Sequence, residues 1–292
     1  MSDARLAAAV SEAGGLGIIA AGSAEGGYVR EQLRAAKALT GKPFGLNIML
    51  LSPHADDAAQ IAADEGVAVV TTGAGNPSKY MRLWAERGIQ VVPVVASAGM
   101  AKMAERWGAA AVVAEGCEAG GHIGELTTMA LVPQVCDAVS IPVIAAGGIG
   151  DGRGVAAAFM LGADGVQLGT RFLSAAECGI HQNYKNMVIK AKDIDTIVTG
   201  RRIGHAARAL KSAYSRKFAV NESDLNVTEE ELLALGPGAL RLAAAEGDVQ
   251  NGWFLAGQSA GLVKREQTAA QIICEIFNEA EQIMKDAQAW IG

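Results

Sequence analysis

The sequence is short of aromatics, of cysteine pairs and of positive charge, and each shortage narrows what the protein can be. Lys and Arg number 25 against 31 Asp and Glu, a formal net charge of −6, so the basic footprint of a nucleic-acid binder is missing. Cys117, Cys136, Cys178 and Cys274 are widely scattered, with no CxxC pair. This spacing argues against a disulfide scaffold or a structural zinc site and fits reduced thiols in the cytoplasm. No uncharged apolar run reaches the ~18–20 residues that cross a bilayer, and none has the form of a signal peptide. Neither a membrane nor a metal partner is therefore expected.

Glycine, in contrast, is plentiful. The 292 residues include 36 glycines, with 50% hydrophobic and only 5% aromatic residues. That mixture suits an α/β protein with many tight strand-to-helix turns rather than a helical bundle. Apolar, β-branched runs predict strands over 16–21, 44–50, 67–72, 90–95, 110–115, 142–147 and 165–169. Segments with apolar residues at three- and four-residue spacing separate them and read as helices. This alternation specifies parallel strands buried on both faces.

A doubly wound open sheet and a (β/α)8 TIM barrel compete for this pattern. The regular βα period favours the barrel, as do the glycine-rich segments after nearly every strand. No GxGxxG opens a helix after the first strand, since Gly14-Gly15-Leu16-Gly17 precedes it. A closed barrel needs eight strands, and only seven are readable, so either the fold is not a barrel or its first strand is absent from the chain. The barrel is assigned to residues 1–174 as strands two to eight. Charged helical stretches at 185–192, 201–217 and 228–235 predict a helical lid over 175–246. Residues 247–292 return to the barrel and end in an amphipathic helix near 265–290.

Chemistry concentrates after strand 110–115, where the loop reads Glu115-Gly-Cys-Glu-Ala-Gly-Gly-His-Ile-Gly124. Extra length in a βα loop is where function usually sits, and histidine transfers protons near neutral pH. His122 is either that proton-transfer group or a turn residue satisfying backbone groups. The last two strands end in Gly147-Gly148 and Gly169-Thr170, a pair of turns suited to a phosphate-bearing cofactor. Asn47 lies inside an apolar strand and must find hydrogen-bond partners. His54, His181 and His205 read as structural or surface residues.

These segments, together with Lys42-Pro-Phe-Gly-Leu-Asn-Ile-Met49, Thr71-Thr-Gly-Ala-Gly-Asn-Pro77 and Leu255-Ala-Gly-Gln-Ser259, resemble the flavin-dependent enoyl-[acyl-carrier-protein] reductases. That group sits within the wider nitronate monooxygenase family of FMN barrels. The resemblance implies reduction of trans-2-enoyl thioesters, carried by acyl carrier protein or CoA, with FMN and with NADH or NADPH as hydride donor. It implies that Gly147, Gly148, Gly169 and Thr170 hold the FMN phosphate, and that Asn47, Gly73, Glu115 and Gln167 line the flavin. Gly120 and Gly121 would let the loop close, His122 would be catalytic, and Gly257 and Gln258 would face substrate. A homodimer is implied too.

The alternative within the family is nitronate oxidation with O2, in which His122 acts as base. Glu115 before the loop glycine and Ile123 after the histidine resemble the enoyl reductases instead. Relatives begin with a strand ending in a Gln-Gly-Gly-Met-like segment, and the sequence here matches from just beyond it. A misassigned start codon is the expected explanation. Without that strand the chain is expected to be poorly stable and to bind FMN weakly, with an inactive flavin-binding protein as the third reading.

Overall fold

The computed structural model describes residues 2–236 and 238–290. Its centre is a curled sheet of seven parallel strands: β1 (Gly17–Ala20), β2 (Phe44–Met49), β3 (Val69–Gly73), β4 (Gln90–Val95), β5 (Val112–Glu115), β7 (Val143–Ala146) and β8 (Gly165–Gln167). They pair in the order β1-β2-β3-β4-β5-β7-β8. A two-residue strand, β6 (Gly121–His122), lies in the loop between β5 and β7. The architecture is TIM-barrel-like, and each of the seven sequence-derived strands is found within two residues of its expected start.

Helix α1 (Ala4–Glu12) precedes β1, and α2 (Gly26–Leu39), α3 (Ala55–Glu65), α4 (Ser78–Glu86), α5 (Ala98–Arg106), α6 (Thr128–Cys136) and α7 (Gly152–Met160) connect successive sheet strands. Local chemistry sets their ends. Asp3, Ser97 and Asp151 each accept a backbone N–H at a helix start, satisfying donors that the first turn leaves unpaired. Helix α3 stops at Gly66, whose φ of 63° suits glycine. Helix α1 presses so closely on β1 that a Cβ at Gly17 would lie 1.9 Å from the Ala7 carbonyl oxygen.

The alternation of side chains along each strand divides the core. Val92, Val113 and Ala146, with Val69, Val94 and Ile144 against them, fill the barrel interior. Leu46, Ile48, Val70 and Trp84 belong to the outer layer under α2, α3 and α4. A second outer layer joins Val112, Leu131, Val143 and Val155 to Ile272 and Ile276. The last two lie on α12 (Ala269–Asp286), which packs on α7 so tightly that a Cβ at Gly152 would meet Ala280 N at 2.5 Å.

Residues 175–246 differ from the all-helical expectation. They contain α8 (Gln182–Lys190), α9 (Ala213–Ser223), α10 (Glu229–Ala234) and the short α11 (Ala239–Arg241), but also β9 (Thr196–Thr199) and β10 (Ala207–Leu210). The order of this second sheet is β6-β10-β9. The stretch 201–217, read as one helix, is a turn, a strand and the start of α9. Strand β10 pairs along its whole length with β9 and, at Ala207 and Arg208, with β6, whose residues are more than 80 positions earlier in the chain; no local periodicity reports that second partner. Among the described residues, β1 and β8 are each paired on one side only, and no helix is long and apolar enough to cross a membrane.

Candidate functional site

Strand register gathers polar residues at the carboxyl end of the barrel. Asn47 pairs with Thr71, Glu115 with Ala146, and Ala146 with Gln167. By alternation, Asn47, Thr71, Glu115 and Gln167 share the interior face with Val113 and Ala146. Asn47 Nδ2 donates to Thr71 Oγ1 at 2.9 Å, which supplies the partner that an amide in an apolar strand requires. Glu115 has no hydrogen-bond or ion-pair partner among the described residues, and burial alone pushes its carboxyl up to about 7.

The loop after β5 is held from three sides. The Glu118 carboxylate accepts from Thr128 N, with both oxygens at 3.0 and 3.1 Å, and so caps α6. Thr128 Oγ1 in turn donates to the Gly147 carbonyl at 3.0 Å. On the far side, Arg208 on β10 donates from Nε and Nη2 to the Cys117 carbonyl at 3.1 and 3.0 Å, and from Nη1 to Thr196 Oγ1 at 3.1 Å. Below, Gly120 packs on the segment after β10: a Cβ there would lie 2.6 Å from Gly257 N. Gly121 takes a φ of 84°, a conformation that costs glycine nothing.

This scaffold presents His122. It stands on β6 opposite Ala207 of β10, and its ring lies edge-on to that of His205, with centroids 6.2 Å apart. The side chain remains open to solvent, yet crowding by the protein and, secondly, His205 push its pKa down. Both effects favour the neutral imidazole. His205, read from the sequence as a structural or surface residue, is here a neighbour of the candidate catalytic group. Arg208 and Glu118 were not singled out at all. The one signal was a lone arginine in Ala-Arg-Ala, inside a stretch whose strand character local pattern does not show.

Phosphate-binding capacity sits beside this loop. The backbone N–H groups of Gly147, Gly148 and Gly169 donate to no protein acceptor among the described residues, and Gly147 and Gly148 take φ of 92° and 71°. A Cβ at Gly73 or Gly169 would meet nothing within 4 Å, so space is open above both. Unpaired N–H groups at adjacent strand ends suit a phosphate. Partnerless polar side chains on the interior face suit a ring with donors and acceptors at its edge. The residues present therefore fit FMN. Thr170 Oγ1 is already used, accepting from Gly257 N at 2.8 Å, which leaves the backbone of Thr170 for a phosphate. Gly257 is buried against the loop, while Gln258 is exposed and donates its N–H to the Glu118 carbonyl at 2.9 Å.

Comparison with known proteins gives a consistent result. The family model for nitronate monooxygenase matches residues 1–279. A probable nitronate monooxygenase of Staphylococcus saprophyticus is 33% identical, over 96% of this chain and 91% of its own. A Mycobacterium tuberculosis protein, (3aS,4S,5R,7aS)-5-hydroxy-7a-methyl-1-oxo-octahydro-1H-indene-4-carboxyl-CoA dehydrogenase, is 30% identical over 100% of this chain and 93% of its own. Among solved structures, FabK from Thermotoga maritima is 49% identical with a TM-score of 0.95, covering 99% of this chain and 92% of that one. Nitroalkane oxidase from Streptomyces ansochromogenes is 28% identical with a TM-score of 0.86, covering 98% and 94%. With the family model spanning nearly the whole chain, the chain belongs to the nitronate monooxygenase family of FMN-dependent oxidoreductases.

Proposed function

We propose that this oxidoreductase reduces trans-2-enoyl thioesters, carried by acyl carrier protein or CoA, using NADH or NADPH. The observation that carries this reading is the 49% identity to FabK over 99% of the chain, well above the 33% and 28% shared with a probable nitronate monooxygenase and a nitroalkane oxidase. Glu115 and Ile123 flanking the His122 loop support the same choice.

FMN, when bound, supplies the hydride chemistry of this family; the chain's part is to bind, orient and manage charge and protons. Gly147, Gly148 and Gly169 offer N–H groups to the phosphate, and Asn47, Glu115 and Gln167 face the interior where the ring would lie. Reduction of an enoyl thioester builds negative charge on the thioester oxygen. A neutral His122 imidazole, donating from an N–H, is suited to stabilise that charge, and its solvent exposure gives the ring a route for reprotonation.

Nitronate oxidation is the second reading, favoured by the family model and by a neutral His122, which is also competent as a base. One experiment separates them. FMN-loaded protein should consume NAD(P)H in proportion to added crotonyl thioester. Rapid oxidation of a nitronate, with no thioester-dependent NAD(P)H consumption, would reverse the ranking.

A further inference from the structure

Charge in this protein is unevenly placed. The chain carries −6 overall, yet residues 185–217 hold nine Lys and Arg against two Asp. Part of this positive segment lines an open cleft of about 580 Å³ between α8, β10 and α9, bounded by Asn183, Asn186, Lys190, Lys211 and Arg216, with Asp195 at one side. Its volume falls in the range of small-molecule sites.

The cations in the cleft are unspent. Among the described residues Lys190, Lys211 and Arg216 make no ion pair, whereas Lys185 nearby is paired with Glu266 at 2.8 Å and Arg201 with Glu125 at 2.9 Å. Nor does Asp195 neutralise them: its Oδ2 accepts from Lys192 N at 2.9 Å, within its own turn. Two lysines and an arginine lining one cleft in an acidic protein suit a phosphate group, which takes charge-assisted hydrogen bonds from both side-chain types.

The cleft is tied to the catalytic loop by a single strand. Ala207 of β10 stands opposite His122, and Leu210, three residues on, lines the cleft. At ~3.3 Å per residue, the cleft begins about 10 Å along β10 from the histidine. A ligand that is long, phosphorylated at one end and reactive at the other matches this layout.

We propose that the cleft of Lys190, Lys211 and Arg216 binds the nucleotide phosphate of a ligand whose reactive end reaches His122. Two ligands of the proposed reaction carry such a group: a CoA thioester at its adenosine 3′-phosphate, and NADPH at its 2′-phosphate. The choice of these ligands rests on the enoyl reductase reading; the anion chemistry of the cleft does not.

The test uses FMN-loaded protein and two probes free of turnover, adenosine 3′,5′-bisphosphate and adenosine 2′,5′-bisphosphate, titrated calorimetrically at low salt. Lys190 and Arg216 are exposed, so Lys190→Ser/Arg216→Ser should fold and keep its FMN content. The double variant should bind at least one bisphosphate about tenfold more weakly than the parent, and added salt should weaken the parent more than the variant. Tighter binding of the 3′,5′ isomer, with a raised KM for crotonyl-CoA and an unchanged KM for a crotonyl thioester lacking the nucleotide, assigns the cleft to the acyl carrier. Tighter binding of the 2′,5′ isomer, with a raised KM for NADPH and not NADH, assigns it to the hydride donor. Bisphosphate binding lost in the variant of a protein that reduces no enoyl thioester sustains the cleft and sinks the enoyl reading. Absent or unaltered bisphosphate binding overturns the proposal even if thioester reduction is intact, as does a cleft that captures only an acidic protein.

Discussion

Glu115 is a carboxyl whose protonation is governed by position. Burial raises its pKa from 4.5 to about 7, because removal from water penalises the charged form. Below pH 4.5 the folded and unfolded chains both hold the proton and the group is silent. Between there and about 7 the folded chain keeps a proton that the unfolded chain releases, so stability falls as pH rises. The full penalty, on the order of 3 kcal/mol from the size of the shift, is reached above pH 7. Glu115→Gln should therefore raise the melting temperature of the FMN-free chain at pH 8 and leave it unchanged near pH 4. An equal effect at both pH values would show that burial does not control this group. For His122, replacement by Ala should preserve FMN content while lowering turnover by on the order of 10²–10⁴, the range for a proton-transferring group. Unchanged turnover with normal flavin would leave it a turn residue. Both residues were legible in the sequence because each sits where a strand pattern breaks into glycines. The His122–His205 pairing was not, since the two rings meet only through the β6–β10 contact.

Among the elements, the small sheet of β6, β10 and β9 decides where His122 stands. Its register is shared with Arg208, whose guanidinium spans from the Cys117 carbonyl to Thr196 Oγ1. Removing it leaves a half-buried carbonyl without its charged donor, a loss of about 1.5–3 kcal/mol. Arg208→Ala should speed amide hydrogen exchange over residues 117–123 and lower kcat through His122, with Arg208→Lys recovering part of the loss. Exchange in that loop identical to the parent's would show that the loop holds itself. This element was hidden from sequence analysis for a physical reason. A strand of four residues with the pattern Ala-Arg-Ala-Leu carries little intrinsic preference, and it is held by pairing with β9 on one side and with the distant β6 on the other. The barrel strands were legible because runs such as Gln90–Val95 combine β-branched residues with burial on both faces.

Across the whole molecule, the candidate FMN site draws on β2, β5, β7 and β8 at once and adjoins the segment at Gly257. A ligand held by so many separated elements binds the folded chain and not the unfolded one, so it should stabilise by mass action. At a hundredfold excess over its Kd, FMN should add about 2.7 kcal/mol, a rise of several degrees in melting temperature for a chain of this size. Thermal melts at increasing FMN test this directly. A melting temperature indifferent to FMN would mean that the loops are not joined through it.

By itself, the sequence determined the βα alternation, the seven strands of the barrel wall, and the glycine-flanked loop in which His122 lies. These follow from periodicity and from the conformations that only glycine adopts freely, both of them properties of short stretches of chain. The tertiary structure decided which polar residues share the barrel interior, that Glu115 is left without a partner, that Arg208 secures the His122 loop, and that Lys190, Lys211 and Arg216 line one cleft. Each of these depends on register and on contacts between residues far apart in the chain. Burial, and with it protonation and unspent charge, is set by those contacts and not by the local order of residues.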